Sequence, residues 1–161
     1  MATLPQLIEE DIERLDSELR ELLAKSDATT ALIMDKGGFL IASQGDNRSF
    51  DLTTIAALAS GAYMATQTIA QMVHETNFNS VYQQGEKFSM FVLDVDENCI
   101  LTVIFKASVS VGAVKYFACP AAKRIAVQMT IAQERDPGGG LDLSVLNIAD
   151  PSEVFKRKAE A

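Results

Sequence analysis

A run of 23 residues without a single Asp, Glu, Lys or Arg lies between Asp51 and Glu75. Its apolar residues recur at steps of three and four, which predicts one long helix over residues 52–74. A helix on the outside of a globular protein normally keeps a charged side towards water. A helix that lacks one is buried on two sides or covered by a partner, so this segment is the strongest candidate for an interaction surface.

The rest of the chain has the composition of a globular protein. Its 161 residues fit one domain, and a content of 48% apolar and 22% charged residues is sufficient for a packed core. The net charge of −8 repels phosphate backbones and anionic lipid headgroups, so we expect neither nucleic acid nor a membrane as a partner. Thr, Ser, Gln and many alanines make the uncharged helix too polar to predict a membrane span.

The cysteines and the N-terminus favour a cytoplasmic protein. Cys99 and Cys119 form no C-x-x-C pair, so we expect free and mostly buried thiols. Acidic residues come early in the chain and no continuous apolar stretch precedes them, which is unlike a secretory signal.

Hydrophobic periodicity predicts α and β segments in a defined order. Residues 5–25 form a first helix with Pro5 in its first turn. A β-hairpin follows at 31–35 and 39–43, since the intervening Gly37 and Gly38 suit a tight turn. The uncharged helix comes next, with Ser49 or Asp51 as its N-cap.

The second half of the chain predicts three strands and a last helix. The strands are expected at 78–84, 87–93 and 99–105, and the helix within 109–133. Pro120 either kinks this helix, which we favour, or marks its first turn.

A change of composition ends the predicted domain at residue 133. The Gly-rich segment 134–140 reads as a linker, and residues 141–161 as a C-terminal tail with a short helix after Asp150. One domain over residues 1–133 is therefore predicted.

Motifs for catalysis or cofactor binding are missing from the sequence. It has no P-loop, no dinucleotide-binding motif and no zinc-protease motif. The one histidine, His74, falls at the end of the uncharged helix, where a helix-terminal role is far more common than catalysis. The acidic run 94–98 resembles half of a calcium loop, but Cys99 and Phe105 stand where that loop needs Gly and Glu. We therefore predict no catalytic residue, no cofactor and no metal ion.

The uncharged helix carries two apolar stripes. The first is predicted to lie on the sheet and comprises Leu52, Ile55, Ala59, Ala62, Thr66, Ile69 and Val73. The second emerges on the far side and comprises Ala57, Gly61, Met64, Ala65, Thr68 and Met72. Monomers rarely tolerate an uncovered apolar patch of this size. The second stripe therefore predicts a homodimer, unless the last helix or the tail covers it within one chain.

The order of these segments resembles the Roadblock/dynein light chain family, and its bacterial MglB branch in particular. The resemblance rests on ALIMDKGGFLIAS, on the helix beginning DLTTIAALASGA and on CILTVIF followed by VSVGAVKY. It implies an α+β fold of order α-ββ-α-βββ-α, with a five-stranded antiparallel sheet flanked by helices. It also implies a homodimer with a continuous sheet, formed by residues 51–74 and 78–84 of each copy.

The resemblance further implies a function and its site. In this family the paired second helices form the platform on which a Ras-like small GTPase docks, and the GTPase is activated without a donated arginine finger. The implied function is a non-enzymatic homodimeric regulator of such a GTPase. Partner contacts would then lie at Ala57, Gly61, Met64, Ala65 and Thr68. Contacts between the two copies would involve Ser60, Gln67, Gln71, Phe78, Ser80 and Tyr82.

Two other functions stay open at this stage. A scaffold subunit of a larger assembly would use a free sheet edge or the tail for its contacts. A small-molecule sensory domain would hold a ligand between the sheet and a helix.

Overall fold

A computed structural model of the chain describes residues 4–135. Three helices and five strands follow one another in the predicted order, α-ββ-α-βββ-α. In chain order they are α1 (Glu9–Ser26), β1 (Thr30–Asp35), β2 (Leu40–Gly45), α2 (Leu52–Met72), β3 (Ser80–Gln83), β4 (Phe88–Asp94), β5 (Cys99–Lys106) and α3 (Val111–Arg135). The predicted tail, residues 141–161, lies outside the described residues, whereas Glu134 and Arg135 of the predicted linker belong to α3.

The five strands form one antiparallel sheet of order β2-β1-β5-β4-β3. β1 and β5 are neighbours near its centre, with Thr30 opposite Ile104 and Asp35 opposite Cys99. β1 is buried along nearly its whole length, as its continuous apolar run predicts. β2 and β3 are the edge strands.

Helices cover the two faces of the sheet unequally. On one face α1 and α3 pack side by side against the sheet, and their core includes Leu15, Leu19 and Ile125. On the other face α2 packs against a smaller core that includes Leu32 and Met34. Among residues 4–135 no second helix joins α2 on that face.

α1 begins at Glu9 rather than at residue 5, so the prediction that Pro5 opens this helix is wrong. The Ile8 amide donates to Asp11 Oδ2 at 2.9 Å, which caps the helix three residues beyond Pro5. The Asp11 carboxylate also accepts two hydrogen bonds from Arg135 at 2.8 and 3.0 Å and one from Gln128 at 2.7 Å. These contacts join the first turn of α1 to the last two turns of α3.

α3 runs through Pro120 as one helix, so the alternative that Pro120 marks its first turn is wrong. Pro120 is exposed, and the Tyr116 carbonyl that loses its helical donor lies on the same solvent-facing side. Water can satisfy that carbonyl, which explains why the helix tolerates a proline there. The boundaries of the remaining elements, except β3, agree with the prediction to within two residues.

Candidate docking surface

α2 is closed at both ends by local hydrogen bonds. Asp51 is its N-cap, because its Oδ1 accepts from the Thr54 amide at 3.2 Å and its Oδ2 from the Thr54 hydroxyl at 2.6 Å. At the other end the Glu75 amide donates to the Ala70 carbonyl at 2.9 Å, and His74 takes a left-handed φ of 62°. Asp51 rather than Ser49 therefore caps the helix, and His74 terminates it.

The face of α2 that lies on the sheet differs from the predicted first stripe. Its buried residues are Leu52, Ala56, Ala59, Ser60, Tyr63 and Ala70. Ala62, Ile69 and Val73, which were predicted to lie on the sheet, are exposed. Relative to the predicted orientation, the helix is rotated about its own axis. In the observed orientation the Ser60 hydroxyl donates to the Lys36 carbonyl at 2.6 Å, so this polar side chain on the inner face has a partner.

Lys36 connects the middle of α2 to two hairpin turns. Its ammonium group lies 2.9 Å from Asp94 Oδ1 and donates to the Asp96 carbonyl at 2.7 Å. Asp96 in turn accepts from the Asn98 and Cys99 amides, so residues 94–98 form the predicted hairpin turn. Lys36, in the turn between β1 and β2, therefore links α2 to the turn between β4 and β5 at one end of the sheet.

The outward side of α2 carries an uncharged stripe that we call the outer stripe, Ala57, Gly61, Met64 and Thr68. Each of its residues is exposed, and a Cβ added at Gly61 would meet no atom within 4 Å. Ala65, the fifth residue predicted to contact a partner, is also exposed. The structure thus brings all five predicted partner-binding residues to the surface of one helix.

A second exposed stripe of α2 was missed by the sequence reasoning. We call it the groove-side stripe, and it consists of Leu58, Ala62, Ala65, Ile69 and Val73. Leu58 is 68% exposed and Ile69 51%. The spacing of four, three, four and four residues groups these residues on one side of the helix, but does not tell whether that side faces the sheet or solvent.

An apolar groove of about 500 Å³ runs between this side of α2 and the hairpin of β3 and β4. Phe50 and Phe88 form one wall, with ring centroids 5.4 Å apart in an edge-to-face arrangement. The helix side of the groove is formed by Ile55, Leu58, Ala59 and Ala62. An open apolar groove next to an edge strand is a feature of a surface that another chain can cover.

The residues predicted to contact a second copy are not all gathered on this surface. Ser60 is 2% exposed, and the Gln67 amide group bonds to the backbone of Phe78 within the chain. Gln71 is exposed, while Phe78 and Ser80 are half-buried. Tyr82 is exposed at the edge and stacks on Phe105, which belongs to the core under α1 and α3.

β3 offers a free sheet edge. It pairs with β4 from Ser80 opposite Leu93 to Gln83 opposite Met90, and no other described strand lies along its second side. It begins two residues later than the predicted strand 78–84, where the backbone of Phe78 bonds to Gln67, and it ends one residue earlier. Its unpaired amides and carbonyls can accept a strand from another chain.

Two ionisable groups of the sheet region, Tyr63 on α2 and Cys99 on β5, have raised pKa values. Burial, and then the charge of Asp94, raises the pKa of Tyr63 above its usual value. Burial, followed by the negative charges of Asp96 and Asp35, raises the pKa of the Cys99 thiol and makes it a poor nucleophile. Within residues 4–135 no cluster of three His, Cys, Asp or Glu residues has the arrangement of a metal site.

No helix in the described part of the chain is long and apolar enough to cross a membrane. α2 packs on the sheet with one side, and its other sides are exposed in the described chain.

The sheet order, the single helix on one face and the two helices on the other define a Roadblock-type domain. Residues 15–105 match the family model of the Roadblock/LC7 domain, and this match spans more than half of the chain. The chain belongs to the Roadblock/LC7 family.

Among solved structures the chain is similar to MglB proteins, which confirms the resemblance to that branch. A structure of MglB with a tetrameric arrangement is 27% identical, with a TM-score of 0.76 over 82% of this chain and 99% of that chain. Myxococcus xanthus MglB is 25% identical, with a TM-score of 0.74 over 79% and 96%. The gliding protein MglB from Thermus thermophilus is 27% identical, with a TM-score of 0.74 over 81% and 99%. A search of curated proteins finds no significant match.

Proposed function

We propose that this chain is a non-enzymatic, cytoplasmic regulator that pairs with a second copy of itself and docks a Ras-like small GTPase on the paired α2 helices. The observation that carries the proposal is the uncharged surface of α2, which exposes apolar side chains on two sides of one helix. The similarity to MglB structures supports the same class of function.

The two stripes of α2 suggest a division of roles. The groove-side stripe lies beside the open groove and the hairpin that carries the free edge of β3, so a second copy is its proposed occupant. Pairing of the β3 edges would extend the sheet, while the helices of the two copies cover the grooves. Gln71, Phe78, Ser80 and Tyr82 stay proposed contacts, whereas the hydroxyl of Ser60 is already bonded within the chain.

The outer stripe is then left for the GTPase. Ala57 and Gly61 allow a close approach of another backbone, and Met64 adapts its shape to a partner. None of the four outer-stripe residues can act as an acid, a base or a positive charge in GTP hydrolysis. Activation would therefore come from holding the GTPase's own catalytic groups in place.

GTP hydrolysis by purified Ras-like GTPases tests this proposal. We expect the wild-type chain to accelerate one of them, and Gly61→Arg to lose at least about tenfold of that effect, because a charged side chain then stands on the outer stripe. Gly112→Arg, at the exposed start of α3 on the other face of the sheet, is the matched control and should behave as wild type. Absence of both binding and rate change with every GTPase tried would contradict the proposal.

The apolar groove favours one second candidate, a site for a small apolar ligand. Its volume of about 500 Å³ lies within the range of ligand pockets. Titration with an environment-sensitive apolar dye separates the two uses. If a second copy covers the groove, dye bound per chain falls as the protein concentration rises; if the groove is a ligand site, it stays constant.

A further inference from the structure

Gln67 holds the backbone of Phe78 in the way that a neighbouring strand would. Its Nε2 donates to the Phe78 carbonyl oxygen at 3.0 Å, and its Oε1 accepts from the Phe78 amide at 3.0 Å. The hydroxyl of Tyr63, one turn earlier on α2, donates to the same carbonyl at 3.4 Å. Side chains of α2 therefore satisfy both main-chain groups of Phe78.

This contact lies at the entry to the free edge of the sheet. β3 begins two residues after Phe78, has four residues and pairs with β4 alone among the described strands. Residues 74–77, which lead from α2 to Phe78, are exposed, so burial does not fix their path. The bonds from Gln67 give the chain a fixed point just before the edge strand.

From this geometry we infer that Gln67 is a positioning residue for self-association, which sets the edge of β3 relative to α2. The inference rests on the proposed function, because the proposed dimer uses β3 and α2 together. Two elements that must meet a partner at the same time bind more tightly when their relative position is fixed beforehand. Gln67 would thus act through Phe78, and not by direct contact with the second copy.

Gln67→Met in the full chain separates these two roles. Methionine is of similar length but has no amide donor or carbonyl acceptor, so it frees the Phe78 amide and leaves the Phe78 carbonyl with only the longer bond from Tyr63. In sedimentation experiments we expect the dimer dissociation constant to rise at least about tenfold, because the position of β3 relative to α2 is then no longer fixed before association. Hydrogen exchange followed by NMR should show a faster Phe78 amide. A direct apolar contact would be kept or strengthened by the same change.

Gln6→Met makes the same substitution at an exposed residue outside α2 and should leave the dissociation constant and the Phe78 amide unchanged. A folded Gln67→Met chain whose dimer is as tight as wild type, or tighter, overturns the inference. Gln67→Glu keeps the acceptor and loses the donor; it should weaken the dimer too, and it serves if the methionine variant does not fold. A wild-type chain that stays monomeric refutes the proposed dimer instead.

Discussion

Asp11 is fully buried, and its carboxylate is surrounded by donors from three parts of the chain. Arg135 contributes a two-pronged ion pair, which is the strongest of these contacts. The hydrogen bonds from Arg135 hold the pKa of Asp11 at about 2, although burial by itself would raise it. Removal of the arginine leaves a buried charge with too few partners.

We expect Arg135→Gln to lower the free energy of unfolding by about 2 kcal/mol, a value below that of a fully buried pair because Arg135 is partly exposed. Urea unfolding followed by circular dichroism measures the difference. Arg14→Gln, which removes an exposed pair with Glu10 at 3.9 Å, is the control and should cost less than about 0.5 kcal/mol. Equal stability of the two variants would show that the buried pair is unimportant.

The same pair predicts a pH dependence of stability. The pKa of Asp11 is lower in the folded state, about 2, than the ordinary value of 3.8. Its contribution is therefore complete above pH 3.8 and is lost as the pH falls through 2. The difference in unfolding free energy between wild type and Arg135→Gln should accordingly shrink in this acidic range. Between about pH 6 and pH 8 it should stay constant, because Asp11 is then ionised in both the folded and the unfolded state.

His74 occupies a backbone conformation that glycine adopts without strain. Its φ of 62° follows the end of α2, where the Glu75 amide bonds to the Ala70 carbonyl. We expect His74→Gly to stabilise the chain by about 0.5 to 1 kcal/mol, measured as a higher thermal midpoint. Glu75→Gly, at the adjacent exposed residue, should destabilise it slightly, because no left-handed strain is relieved there. A lower midpoint for His74→Gly would contradict the argument.

At the scale of elements, apolar periodicity predicted the number, order and approximate limits of the helices and strands. It also predicted β1 as an interior, buried strand of the sheet. The rotation of α2 could not be predicted in this way, because it depends on bonds to distant backbone groups. Ser60 bonds to Lys36 and Gln67 to Phe78, and neither partner is visible in the spacing of α2 itself. The exposure of the outer stripe was predictable, because small residues and one methionine recur along that side of the helix, whereas its contact with a partner stays a prediction.

The groove-side stripe gives a prediction about α2 as an interface. A charge at Ile69, which is exposed in the single chain, should leave the fold intact but place an unpaired carboxylate between two copies. We expect Ile69→Glu to weaken the dimer by at least about a hundredfold in sedimentation experiments. Thr53→Glu, exposed in the first turn of the same helix, should not. An Ile69→Glu chain that dimerises like wild type would assign the stripe to another partner.

At the scale of the molecule, the two faces of the sheet differ in completeness. α1 and α3 close one face over a large core, while α2 leaves an open groove on the other. If a second copy closes that groove, folding and association are linked, and stability depends on concentration. We expect the thermal midpoint to fall on about hundredfold dilution of the wild type, and to do so less for Ile69→Glu. A midpoint that is independent of concentration would mean that the open face is stable alone.

The pairing of Arg135 with Asp11 also has a consequence for docking on α2. It fastens the end of α3 to the start of α1, on the side of the sheet opposite α2. The whole thickness of the sheet therefore separates this joint from the outer stripe. A partner seated on α2 would leave the joint uncovered, so its docking should not change the acid sensitivity that Asp11 gives to the chain.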